Sequence, residues 1–283
     1  SEEAPFAKVG GLGEVMFSLP RALKELGHDA RVMIPCYGLI DHKKFRLPYV
    51  YRDLDVPTSQ EGGGKYLRCN VRKFTPTREG RAPVTTYFLE NQEYYELRSN
   101  VYGYGDDSIR YALLSRGALE FLNRHDEWIP DVIVTTDWMT GYLPNFLKAG
   151  GRKYARLKST ATLFSIHNLS SQGTVRFHKF LTESERDDGH GPIPDFSSPR
   201  MENINAMKRG ILNSDLINTV SPTYAREITT DEFGEGLDGL LRERRDRLFG
   251  ILNGIDYDTT NPAVDSALAK TFTPTTVDLR VAN

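Results

Sequence analysis

Cysteine is nearly missing: Cys36 and Cys69 are the only two in 283 residues. Two thiols are too few for a disulfide framework and fit a reducing compartment. Long hydrophobic runs are missing as well, and no stretch approaches the roughly 18 apolar residues of a membrane helix. Nor does one sign of charge dominate. Lys and Arg total 36 and Asp and Glu 38, so the formal net charge of −2 exerts no global pull toward nucleic acid or an anionic membrane. Ser1–Pro5 is acidic and polar, unlike a signal peptide. Internal repeats and low-complexity tracts do not occur. What remains is ordinary globular composition, 39% hydrophobic and 26% charged, enough for one large domain or two small ones.

Six short β-rich runs recur: 30–34, 84–88, 132–136, 162–166, 216–220 and 248–252. They are mostly continuously apolar, which predicts parallel strands buried on both faces. Helical patterns lie between them. Glu14–Leu26 carries Val15, Leu19, Leu23 and Leu26 on one stripe, with Gly27 as its stop. Pro20 falls inside it and predicts a kink or a later start, since an interior proline costs about 3 kcal/mol. Asp107–Asn123 places Ile109, Ala112, Leu113, Leu119 and Phe121 similarly. Strand–helix alternation predicts an α/β fold with a Rossmann-like, doubly wound, mostly parallel sheet. Leu54–Gly64 reads as a polar surface insertion. Phe180–Met201, with three prolines, reads as a mobile loop. Beyond Asp265 the Thr- and Pro-rich pattern reads as a linker, residues 266–283.

Open α/β sheets bind ligands outside the carboxyl ends of their strands. Polar residues follow five of the runs there: Glu90-Asn91, Asp137-Trp138, His167-Asn168, Ser221 and Asn253-Gly254. Each also has a plain structural reading. Asp137 suits a helix N-cap, His167 a satisfied structural histidine, and Ser221-Pro222 a cap with proline at the first helical position. Lys8 alone is a surface lysine. Gly10-Gly11-Leu12-Gly13 is neither a P-loop nor the dinucleotide G-x-G-x-x-G pattern, which argues against a nicotinamide-linked dehydrogenase. Convergence on one edge is what points to a site.

These residues also carry a resemblance. Lys8-Val9-Gly10-Gly11-Leu12 resembles the K-x-G-G-L signature of bacterial glycogen synthases and plant starch synthases. The segments 165–169, 172–173, 219–228, 236–241 and 250–256 are similar to further blocks of that family, in the same order. Thr135 and Met139 stand where the family commonly has histidines, and Thr260 where it usually has tryptophan before Asn261-Pro262. The resemblance implies a GT-B glycosyltransferase of family 5. It implies transfer of glucose from ADP-glucose to the non-reducing end of an α-1,4-glucan or maltooligosaccharide, with retention and with neither metal nor cofactor. Residues 1–265 would be its N-terminal, acceptor-side domain, lacking a first strand ahead of Ser1. Residues 266–283 would lead toward a C-terminal nucleotide-binding domain.

By position, Lys8 would meet the donor diphosphate, and Gly10 and Gly11 would let backbone amides approach it. His167 and Asp137 would act at the donor glucose, Asn168 and Gln172 would line the pocket, and Tyr102 would pack against the sugar. Half a cleft implies little activity alone. Alternatives are a UDP-glucose-dependent transferase of sucrose-synthase type and a non-catalytic glucan-binding protein. Bacterial cytoplasm and plastid stroma fit the composition equally.

Overall fold

A computed structural model describes residues 1–60, 65–76, 83–125, 128–174, 182, 185–257 and 260–283. Residues Ser1–Leu252 make one unit and Asn253–Asn283 another. Two four-stranded sheets organise the first. One has β1 (Arg31–Pro35), β2 (Tyr49–Pro57), β3 (Tyr66–Phe74) and β4 (Thr85–Glu90) in the order β1-β4-β3-β2. Here β1 and β4 run parallel, and β3 is antiparallel to both β4 and β2. The other has β5 (Val132–Thr136), β6 (Ala161–Ile166), β7 (Leu216–Thr219) and β8 (Leu248–Gly250) in sequence order, all parallel. All six expected runs are strands. Burial is less complete than expected: Val132 and Val134, on edge strand β5, are 52% and 46% exposed.

Helix α1 (Gly11–Glu25) starts earlier than its apolar stripe and continues through Pro20. It ends as predicted, with Gly27 at φ 93°, a backbone region open to glycine at little cost. Helix α2 (Asp107–Arg124) is not the one-sided helix its stripe predicts. Every residue from Asp107 to Phe121 is buried except the half-buried Ile109, because β2 and the neighbouring helices surround it. The charged residues this takes inside are paired. Glu120 meets Lys153 at 2.5 Å, and Arg110 meets Asp107 at 2.5 Å.

Two surface segments turn out to be structural. Leu54–Gly64, expected as an insertion, begins inside β2 with Leu54 and Val56 fully buried, and its residues 61–64 lie outside the described part. In Phe180–Met201, Ile193, Phe196 and Met201 are buried in the main core, so its described part is irregular but packed. Proline density signals the lack of periodicity there, not the burial. Among the described residues the unit also holds five short α-helices, α3 (Asp137–Thr140), α4 (Tyr142–Gly150), α5 (Ala206–Asn213), α6 (Pro222–Glu227) and α7 (Asp238–Glu243), the last just before β8. Asn253–Asn283 is built of turns and a 3-10 helix, Pro274–Ala282, opened by a Thr273–Thr276 capping box. Among the described residues no helix is long and apolar enough to cross a membrane.

Candidate active site

Asp137 follows the last residue of β5 and begins α3 with φ 50°. Its side chain does not cap its own helix. Oδ1 instead accepts the backbone amides of His167 at 2.7 Å and Asn168 at 3.0 Å, at the carboxyl end of the adjacent strand β6. Parallel pairing of β5 and β6, with Thr136 opposite Ser165, brings the two strand ends level. Burial raises the Asp137 carboxyl above its ordinary range, opposed by those two amides and by His167. Burial lowers the His167 imidazole, opposed by Asp137. A carboxyl and an imidazole side by side offer both acceptors and a donor to substrate hydroxyls. Ser165 Oγ lies 3.2 Å from His167 Nε2, and Asn168 Oδ1 accepts from the amide and hydroxyl of Ser170.

Gln172 follows on the same loop. Its Nε2 donates to the Glu235 carbonyl at 2.9 Å, and its Oε1 accepts from Asn205 at 2.6 Å. Gly173, at φ 82°, packs so closely on Trp138 that a Cβ there would lie 2.4 Å from the indole. Trp138 meets the Tyr111 ring at 5.1 Å between centroids, and Tyr111 meets Tyr102 at 5.9 Å. Tyr102 donates to Glu2 Oε1 at 2.5 Å. Glu2 Oε2 accepts the amides of Val9 at 2.7 Å and Gly10 at 2.9 Å. An unbroken chain of contacts thus joins the glycine loop to Asp137, His167, Asn168 and Gln172. Lys8, half exposed, is ion-paired with Glu14 one turn into α1.

The candidates at the ends of β4 and β7 have structural partners of their own. Glu90 is held by Arg72 at 2.6 Å and Asn70 at 2.8 Å, and Asn91 receives the Tyr94 amide. Ser221 caps α6, accepting the Tyr224 amide at 2.9 Å, with Pro222 at the first helical position. Asn253-Gly254 opens the second unit. Two participants were missed. Tyr224 accepts the Leu169 amide at 3.3 Å, steadying the loop after His167. Glu2 lies beneath the glycine loop, where a single acid eight residues ahead of a glycine offers no periodic signal. Thr135 and Met139 are both buried. Among the described residues no group of three or more His, Cys, Asp or Glu could hold a metal ion.

The family model for the starch synthase catalytic domain matches residues 1–243. A glycogen synthase of Geotalea daltonii is 40% identical over 282 residues, covering 97% of this chain and 55% of the relative. One from Clostridium acetobutylicum is 39% identical, covering 100% of this chain and 57% of the relative. The catalytic domain of starch synthase IV from Arabidopsis thaliana, solved bound to ADP and acarbose, superposes with a TM-score of 0.77 at 31% identity. That match covers 98% of this chain and 55% of the other. The architecture is therefore one Rossmann-like half of a GT-B fold, and the chain spans about half the length of the relatives it matches.

Proposed function

The chain belongs to the starch synthase catalytic-domain family, and on that premise we propose that it supplies the acceptor-side half of a glucosyltransferase cleft. The reaction is transfer of glucose from ADP-glucose to the non-reducing end of an α-1,4-glucan, with retention. Breaking the bond from the sugar to the diphosphate sends an electron pair to the phosphate oxygen and leaves positive charge on the ring. Lys8 and the first amides of α1 stabilise the phosphate charge. Asp137, His167 and Asn168 hold the glucose and the attacking hydroxyl, making attack effectively unimolecular. Tyr102 and Gln172 border the sugar.

The observation that carries this reading is the hydrogen-bonded cluster of Asp137, His167 and Asn168, linked through Trp138, next in sequence to Asp137, and then through Tyr111, Tyr102 and Glu2 to the loop bearing Lys8. The ADP and acarbose held by the Arabidopsis relative support a nucleotide donor and a saccharide acceptor. Donor competition in the full-length protein tests it: ADP-glucose should outcompete UDP-glucose, and preference for UDP-glucose would overturn the donor assignment. This chain assayed alone with ADP-glucose and glycogen should transfer little glucose. Robust incorporation would defeat the half-cleft reading.

A further inference from the structure

We propose that Glu2 is a positioning residue for the donor-binding loop, an internal anion that holds residues 8–13 in the shape that presents Lys8 and the start of α1 to the diphosphate. The proposal rests on the donor reading above. Glu2 is only 4% exposed, yet both its oxygens are used. Oε2 takes the Val9 and Gly10 amides, and Oε1 takes the Tyr102 hydroxyl. Bonds from amides to a carboxylate are roughly twice as strong as neutral ones. Such an anchor matters here, because three glycines, Gly10, Gly11 and Gly13, add backbone freedom to the loop and to the first turn of α1.

The loop sits tightly on this anchor. A Cβ at Gly13 would lie 3.1 Å from Lys8 Cγ and 3.3 Å from Glu2 Oε2, so the lysine stem and the carboxylate flank the same glycine. Nothing lies within 4 Å of a Cβ built at Gly10 or Gly11, so the opposite side of the loop is open. Two sides of the loop therefore divide the work. The Val9 and Gly10 amides turn inward to Glu2, and the amides of Gly11 and Leu12, which have no partner inside the helix, are left for ligand. This moves the expected phosphate donors from Gly10 toward Gly11 and Leu12. Tyr102 gains a second role: accepting Ser1 Oγ at 3.1 Å and donating to Glu2, it ties the loop to the sugar side of the rim.

The test is steady-state kinetics of Glu2→Ala, Glu2→Gln and Lys8→Ala in the full-length protein, with melting temperatures as a check on folding. Glu2→Ala should raise the KM for ADP-glucose roughly ten-fold and leave the KM for glycogen unchanged. Glu2→Gln keeps an oxygen for the two amides but cannot also accept from Tyr102, so its donor KM should rise by more than two-fold but by less than in Glu2→Ala. It also carries the test if the alanine variant does not fold. A donor KM within two-fold of the parent in the glutamine variant, or in both, overturns the proposal while a raised KM in Lys8→Ala leaves the donor reading standing. A lowered donor KM also overturns it, showing that the carboxylate competes with the diphosphate for the loop. An unchanged donor KM in Lys8→Ala sinks the donor reading and this proposal together.

Discussion

Asp137 combines two structural hydrogen bonds with one charge, and substitution can separate them. Asp137→Asn keeps an oxygen for the His167 and Asn168 amides. It should leave thermal stability nearly unchanged while turnover in the full-length protein falls at least a hundred-fold. Asp137→Ala strands both buried amides and should also cost about 1–3 kcal/mol for each, read by urea denaturation. Near-parental turnover in the asparagine variant would remove the charge from the mechanism. Glu3 makes a different prediction. Burial pushes its carboxyl up to about 8, against the lowering influence of the Thr86 hydroxyl and Arg21. Between the ordinary value of 4.5 and about 8 the folded state keeps a proton that the unfolded chain has lost. Stability contributed by this group is therefore complete below the lower value and declines as pH rises, by up to about 1.4 kcal/mol per pH unit. Glu3→Gln should raise the melting temperature little at pH 5 and most at pH 8. An increment independent of pH would show that Glu3 ionises normally in the fold.

At the scale of elements, α5 fastens the irregular segment before it. Arg209 forms a bidentate pair with Asp187 at 2.9 and 2.7 Å and also donates to Asn145 and to the Gly191 carbonyl; Arg209, Asp187 and Asn145 are buried. Removing the anion strands a buried guanidinium, so Asp187→Ala should cost roughly 3–5 kcal/mol in urea unfolding. Combining it with Arg209→Met should restore part of that loss, and additive losses would argue against a coupled pair. The α3–α4 junction is equally specific. A Cβ on Gly141 would fall 2.0 Å from the Ala206 carbonyl oxygen, so α5 approaches there at a distance that only glycine permits. Gly141→Ala should destabilise by about 1–3 kcal/mol, measured by thermal melting, with displacement of Asp137 lowering turnover beyond the stability loss. Unaltered melting would mean the junction yields without strain.

Across the whole first unit, two buried clusters share the work of folding. The larger underlies the mixed sheet and α2, and the smaller centres on Phe164, Ile166 and Ile217 of the parallel sheet. Trp138 packs against both. The indole thus links the cores as well as bordering the candidate site, so Trp138→Ala should cost about 3–5 kcal/mol and lower the denaturant slope as the clusters begin to unfold separately. A single transition with the parental slope would show that the cores are coupled elsewhere.

Local chemistry was legible without coordinates. Apolar runs predicted six strands because strand burial depends on consecutive residue types. Ser221-Pro222 predicted its cap and Gly27 its stop because both act within one helical turn. Strands β2 and β3 stayed hidden because Arg52, Asp53, Asp55, Arg68 and Arg72 interrupt their apolar residues, and because pairing, not composition, buries Leu54 and Val56. The residue types at the carboxyl ends of β5 and β6 were readable; their meeting was not. Asp137 lies 30 residues from His167, and only parallel register aligns them. Glu2 and Tyr102 are 100 residues apart. Sequence by itself determined which segments fold as strands and which side chains can do chemistry, since both depend on neighbours along the chain. Tertiary structure alone decided which of them touch, because a long-range hydrogen bond forms only after the intervening chain has lost its freedom to packing.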